Sequence, residues 1–247
     1  MITSEEELKQ VLPPPDKKKE LQPKFRRMID RVLVNDDPSK REVAAERLSE
    51  ILTTIVNAFA ETGEKDTLIK NFFNKQGFKK KLEKTLPLLR RFNIPATLIF
   101  IDVDHLKLFN DTQGHLEGDK MLKGVGGCIT DSTRTVDFAG RFGGDEFELC
   151  AVGADLDGAE IIAQRIETTN RERVSKIFSD YPHPQTLSIG IAELMPDDTP
   201  ESLIERADQA MYQAKRERDR IVSVRKDPQS GRLDFNIVTP NHSTTSS

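Results

Sequence analysis

Several features that would place a protein in a particular class are scarce in this sequence. It contains only two cysteines, Cys128 and Cys150, whose spacing fits neither a disulfide framework nor a zinc site. No apolar run approaches the roughly 20 residues that a membrane-spanning helix needs. The first residues are acidic, whereas a secretory signal begins with basic and then apolar residues. These absences predict a soluble protein of the cytoplasm without membrane insertion.

The sequence also lacks an excess of positive charge. Its 37 lysines and arginines are outnumbered by 41 aspartates and glutamates, which gives a net charge of −4. A protein that coats nucleic acid needs a basic face to bind phosphate, so we expect no nucleic-acid partner.

Composition and periodicity divide the chain into four stretches. Residues 1–22 are polar and proline-rich, and are predicted to be disordered. Residues 23–65 carry two amphipathic helical patterns, which predict a small helical region for dimerisation or regulation. Residues 66–225 mix helical and strand periodicities, as one α+β domain would. Residues 226–247 are polar again and are predicted to form a disordered tail.

Within residues 66–225 the pattern predicts helices that flank a central, mostly antiparallel sheet. The predicted helices cover residues 78–91, 116–130, 157–173 and 200–218. The predicted strands are 96–103, a hairpin over 138–152, 185–194 and a short edge strand at 221–224. The Gly143-Gly144 pair marks the turn of the hairpin.

Acidic residues cluster at two predicted strand ends. Asp102 and Asp104 close the apolar strand, and Asp145 and Glu146 follow the Gly-Gly turn. Mg²⁺ prefers carboxylate oxygens together with substrate phosphates, so two adjacent strand ends would make a platform for phosphoryl transfer. The alternative is that these are ordinary acids at loop entrances, and the pattern alone leaves both interpretations open.

Four short motifs in this region, in their order and spacing, resemble the signature of the GGDEF family. They are Phe100-Ile101-Asp102-Val103-Asp104 with Asn110-Asp111, then Arg141-Phe142-Gly143-Gly144-Asp145-Glu146-Phe147, Ser188-Ile189-Gly190, and Ala207-Asp208 with Tyr212-Gln213-Ala214-Lys215. The family consists mainly of diguanylate cyclases, whose fold resembles the palm of adenylyl cyclases and polymerases. The resemblance implies a homodimeric enzyme that condenses two GTP into cyclic di-GMP and pyrophosphate with Mg²⁺ or Mn²⁺.

The resemblance also assigns roles to individual residues. The metal ligands would be Asp102, the backbone carbonyl of Val103, Asp145 and Glu146, and either of the last two would be the catalytic base. Gly143 and Gly144 would let the backbone approach the nucleotide closely. The phosphates would be held by the amides of His105 and Leu106 and by the side chains of Lys107 and Lys215. Asn110 and Asp119 would bind guanine, and Arg134 with Asp137 would bind cyclic di-GMP as an inhibitor.

Three questions stay open at the level of sequence. Asp219 stands where the family usually has an arginine, so one phosphate contact is in doubt, and Arg218 or Arg220 would have to replace it. The apolar stripe of the helix predicted over 39–60 packs either on its own chain or on a partner. The chain is either an active cyclase or a catalytically silent module that binds cyclic di-GMP or GTP. A relaxed enzyme that makes a mixed guanine–adenine product is disfavoured by Asp119.

Overall fold

The structure, a computed structural model, describes residues 64–178, 180–227 and 230–238. The strands are β1 (Phe73–Asn74), β2 (Ala96–Val103), β3 (Phe138–Arg141), β4 (Glu146–Val152), β5 (Leu187–Glu193), β6 (Ile221–Lys226) and β7 (Leu233–Ile237). The helices are α1 (Lys75–Arg91), α2 (Leu106–Gln113), α3 (His115–Asp131), α4 (Leu156–Ile177) and α5 (Pro200–Glu217). The predicted α+β class is confirmed.

The seven strands form one mixed sheet in the order β1-β3-β4-β2-β5-β6-β7. The central strand β2 runs antiparallel to both β4 and β5, and only the β1–β3 and β5–β6 pairs are parallel. All eight residues of β2 are buried, because helices cover both of its faces. The ends of β2 and β4 therefore meet beside each other in the middle of the sheet.

Alternation along β2 decides which side chains face which helix layer. Ile99, Ile101 and Val103 join the core that α2, α3 and α4 build on one face. The residues between them, including Phe100 and Asp102, therefore point toward the opposite face, which α5 covers. Asp102 thus projects on the side of the sheet that α5 occupies.

Three elements differ from the prediction. Helix α2 was not predicted, because its eight residues are short for a periodicity argument. Strand β1 was missed because it has only two residues. The tail was predicted to be disordered from residue 226, yet β7 pairs with β6 from Val222↔Ile237 to Lys226↔Leu233, so β6 is not an edge strand. The predicted helices over 23–60 lie outside the described residues.

The described residues divide into two units, residues 64–83 with those from 95 onward and residues 84–94. The site described below lies within the first of them. No helix in the described part of the chain has both the length and the apolar character needed to cross a membrane.

Candidate active site

Three carboxylates meet where β2 and β4 lie side by side. Asp102 is directly opposite Glu146 in the β2–β4 ladder, and Asp145 immediately precedes β4. One carboxylate oxygen from each lies within 4.8 Å of the others. The N–H of Val103 donates to the carbonyl of Asp145 at 3.0 Å and ties the end of β2 to the turn. This set of hard oxygen atoms fits a divalent cation such as Mg²⁺ or Mn²⁺.

The electrostatics of the acid cluster favour a bound cation. Burial raises the pKa of Asp102 to about 7, and the neighbouring charges of Asp145 and Asp104 act in the same direction. Burial also raises the pKa of Glu146, with Asp145 as the second cause. The ammonium of Lys215 lies 2.6 Å from Oδ2 of Asp102 and offsets part of this negative charge. Burial lowers the pKa of Lys215, but its hydrogen bond with Asp102 and the nearby acids outweigh that effect and raise it.

A cavity of 360 Å³ opens beside the acid cluster. It begins at the N-terminus of α2, where His105 adopts a left-handed backbone conformation with φ 60°. The first N–H groups of a helix have no carbonyl partner within the helix, so they bind anions readily. The residues lining the cavity are Asp102, Val103, Asp104, His105, Leu106, Lys107, Leu108, Asp111, Asp145, Lys215 and Arg218. Its cations and helix terminus make this cavity suitable for a phosphate chain.

The Gly-Gly turn is held in place from outside the site. The guanidinium of Arg141 donates to the carbonyl of Gly144 at 2.7 Å and lies 3.8 Å from the carboxylate of Asp66. The ammonium of Lys75 sits 3.8 Å from the centroid of the Phe142 ring. A Cβ on Gly143 would stand 2.5 Å from Oε2 of Glu146, so glycine at this position gives room to that carboxylate.

Asp104 does not belong to the open acid cluster that the sequence suggested. Its carboxylate accepts hydrogen bonds from Thr186 Oγ1 at 2.7 Å, Ser188 Oγ at 2.8 Å and the N–H of Asp219 at 3.1 Å. With these three donors the buried carboxylate is well satisfied. Asp104 therefore joins the end of β2 to β5 and to the corner after α5.

The two residues assigned to guanine lie on neighbouring helices rather than in the phosphate cavity. Asn110 is on α2 and Asp119 is on α3. A Cβ on Gly118 would stand 1.7 Å from Oδ1 of Asn110, so the amide packs against α3 only because residue 118 is glycine. The Oδ1 atom is buried and has no hydrogen-bond partner in the described part of the chain. An unsatisfied acceptor between the two helices is what a ligand with N–H donors would complete.

Arg134 and Asp137 lie in the loop between α3 and β3, away from the acid cluster in sequence. The carboxylate of Asp137 accepts from the N–H of Arg134 at 2.7 Å and from the N–H of Val152 at 2.9 Å. Burial raises the pKa of Asp137, and these two backbone donors oppose the rise. Asp137 thus closes its own turn, while Arg134 is exposed to solvent.

Sequence reasoning assigned no role to Asp111, Arg141 and Asp66, and it named Arg218 only as one of two replacements for a phosphate contact. Arg218 and Asp111 line the cavity, and Arg141 with Asp66 supports the turn. The replacement of the family's arginine by Asp219 was the one sequence signal that pointed toward Arg218. Nothing local in the sequence pointed to Asp66 and Arg141 as a pair, because they are 75 positions apart.

The fold and the site define an α+β domain that carries a carboxylate cluster at the ends of its central strands. The chain belongs to the GGDEF family: the family model described as "Diguanylate cyclase, GGDEF domain" matches residues 65–220. That range includes all of the candidate site residues.

Known proteins with similar sequences or structures agree with this assignment. Diguanylate cyclase DgcP of Pseudomonas aeruginosa is 34% identical over 152 residues, which are 60% of this chain and 22% of that protein. Diguanylate cyclase DosC of Escherichia coli K12 is 30% identical over 172 residues, 68% of this chain and 37% of DosC. The chain thus spans about a fifth to two fifths of the length of these curated relatives.

Two solved structures extend the comparison. The GGDEF domain of DgcB from Caulobacter crescentus, solved in complex with c-di-GMP, is 28% identical with a TM-score of 0.59, over 64% of this chain and 92% of that one. The active GGEEF domain of a diguanylate cyclase from Vibrio cholerae is 27% identical with a TM-score of 0.54, over 62% and 98%.

Proposed function

We propose that this chain is a diguanylate cyclase that condenses two GTP molecules into cyclic di-GMP and releases pyrophosphate. The observation that carries the proposal is the cluster of Asp102, Asp145 and Glu146, whose oxygens lie within 4.8 Å of one another beside a cavity that two lysines and an arginine help to line. Phosphoryl transfer requires this combination, because the enzyme contributes mainly positioning and charge stabilisation.

The acid cluster and the carbonyl of Val103 would hold Mg²⁺ or Mn²⁺. When bound, the ion stabilises the negative charge that develops on the phosphate oxygens. Either Glu146 or Asp145 would accept the proton of the attacking 3′-hydroxyl.

The cavity and the α2–α3 gap would bind the two ends of GTP. The amides of His105 and Leu106, with the ammonium groups of Lys107 and Lys215, would take the β- and γ-phosphates. Asn110 and Asp119 offer acceptor oxygens, and guanine presents donors at N1 and N2. Adenine has an acceptor at N1, so this pair of residues favours GTP.

Because one such site binds one GTP, the product forms only when two sites face each other. We therefore propose a homodimer with two-fold symmetry in the active state. Residues 23–65, which precede the site in the chain, would raise the local concentration of facing sites.

Truncation before Asp66 should make specific activity fall steeply on dilution, which sedimentation and rate measurements over the same dilution series would detect. Equal dilution profiles for the full-length and the truncated protein would show that residues 23–65 serve another purpose.

A silent module that binds cyclic di-GMP or GTP is the alternative function. The three metal-site carboxylates are all present and close together, and this arrangement supports the active enzyme instead. The neighbour from Caulobacter crescentus was solved with c-di-GMP bound, so binding of that compound by itself would not separate the two functions.

The decisive experiment is to incubate the purified chain with GTP and Mg²⁺ and to identify the product by mass spectrometry. We expect cyclic di-GMP and pyrophosphate from the native chain, and a loss of at least 100-fold in rate for Glu146→Gln. Glu172→Gln, which changes an exposed glutamate of α4, is the matched control and should retain full activity. A folded Glu146→Gln variant with the native rate would refute the assignment.

A further inference from the structure

The chain turns sharply between α5 and β6, and the turn uses unusual backbone conformations. Helix α5 ends at Glu217, and the next residue, Arg218, has φ 57° and ψ 167°. Asp219 follows with φ 52°. The region occupied by Arg218 is populated almost only by glycine, because a Cβ there crowds the backbone. Two consecutive non-glycine residues in positive φ indicate that this corner is held by its surroundings.

The surroundings that hold the corner can be identified. The N–H of Asp219 donates to the buried carboxylate of Asp104 at 3.1 Å. One residue further on, the carbonyl of Arg220 accepts from the N–H of Ile189 in β5 at 2.9 Å. Asp104 is itself fixed by Thr186 and Ser188. The corner is therefore anchored to the same strand ends that carry the acid cluster.

The side chains of Arg218, Asp219 and Arg220 contact different parts of the protein. Asp219 forms an ion pair with Arg171 of α4, and Arg220 pairs with Glu217 at 3.2 Å. Arg218 instead lines the cavity next to Lys215 and Asp102. Within the part of the chain that the structure describes, its side chain makes no hydrogen bond or ion pair. Of the two candidates for the missing phosphate contact, Arg220 is paired with Glu217, whereas Arg218 lines the cavity.

We infer that Arg218 binds the β- or γ-phosphate of the nucleotide and that the strained corner exists to place it there. This inference rests on the proposed function, since it takes the cavity to be the phosphate site. A guanidinium binds phosphate oxygens through two parallel N–H donors, which the ammonium of Lys215 does not offer. A glycine at residue 218 would relieve the strain of the backbone conformation but would remove the contact with phosphate.

The substitution Arg218→Gly tests both halves of the inference because they predict opposite changes. Relief of the backbone should raise the midpoint of thermal unfolding by about 2–4 °C. Loss of the contact should weaken binding of α,β-methylene GTP, an analogue that cannot release pyrophosphate, by about tenfold or more. Binding of GMP, which lacks the β- and γ-phosphates, should change by less than about twofold. Calorimetry with Mg²⁺ present measures both affinities without turnover.

Two further variants complete the test. Arg220→Ala, a matched arginine of the same corner, should leave both affinities unchanged. Arg218→Lys keeps the charge and the backbone conformation, so it should lose less affinity than Arg218→Gly and show the native unfolding midpoint. Unchanged analogue binding in Arg218→Gly, an equal loss for GMP, or a lower unfolding midpoint would overturn the inference. A native chain that binds neither ligand would instead refute the proposed function.

Discussion

A buried glutamate next to the acid cluster offers the sharpest test of how this site affects stability. Glu148 of β4 is fully buried, opposite Phe100 of β2 and Gly140 of β3 in the sheet. Among the residues that the structure describes, neither of its carboxylate oxygens has a hydrogen-bond partner. Burial raises its pKa from 4.5 to about 8; the charges of Glu146 and Asp208 add to the rise, and Lys75 opposes it.

The effect of Glu148 on the free energy of unfolding follows from proton linkage. In the unfolded chain Glu148 ionises above about pH 4.5, whereas in the folded chain it keeps its proton up to about pH 8. Because the folded pKa is the higher one, the contribution of Glu148 to the free energy of unfolding is fully present below pH 4.5. That contribution is lost as the pH rises toward 8. At 1.36 kcal/mol per pH unit, the loss is about 3 kcal/mol at pH 7 and about 5 kcal/mol above pH 8.

The substitution Glu148→Met removes the ionisable group and keeps a side chain of similar length. We expect its free energy of unfolding to exceed the native value by about 3 kcal/mol more at pH 7 than at pH 4.5. Urea denaturation at pH 4.5, 7 and 8.5 measures this difference. Glu172→Met, at an exposed position of α4, is the control and should show no such pH dependence. A gain for Glu148→Met that does not grow with pH would refute the reasoning.

Three further predictions concern ligands. Asp119→Ala should raise the KM for GTP and relax the preference for GTP over ATP, and an unchanged ratio of the two rates would contradict the guanine assignment. Arg134→Ala should keep the initial rate and abolish the slowdown as cyclic di-GMP accumulates; a native progress curve would mean that Arg134 is ordinary surface. Lys215→Met should strengthen Mg²⁺ binding without nucleotide by about tenfold, since the ammonium lies 2.6 Å from Asp102, yet weaken GTP binding. A fall in the affinities for both Mg²⁺ and GTP, measured by calorimetry, would contradict this prediction.

Much of the fold was predictable because its signals are local. The run from Ala96 to Val103 is apolar except at Thr97 and Asp102, and it became the buried central strand with the predicted bounds. The Gly143-Gly144 pair marked the turn between β3 and β4. The helical pattern that starts at Pro200 matched α5 to within one residue at its end. The signal for each of these elements is local, so a short window of sequence contains the information.

Other elements had only weak local signals. Leu233, Phe235 and Ile237 of β7 alternate with polar residues, but this five-residue pattern lies in a polar tail, and the strand forms by pairing its backbone with β6. Helix α2 is only eight residues long and begins after a left-handed His105. In both cases tertiary contacts outweighed weak intrinsic preferences.

At the candidate site, the sequence by itself determined which residue types are present, that Asp102 ends a predicted strand and that the Gly-Gly pair forms the turn of a predicted hairpin; the structure placed the two strands side by side. Only the tertiary structure separated Asp102 from Asp104, two acids of the same strand end. Asp102 joins the cluster with Asp145 and Glu146, whereas Asp104 binds partners 82, 84 and 115 positions away. The same long-range contacts decided that Arg218, and not Asp219, lines the cavity. The physical reason is that a carboxylate's role depends on the donors around it, and chain folding brings those donors from distant segments.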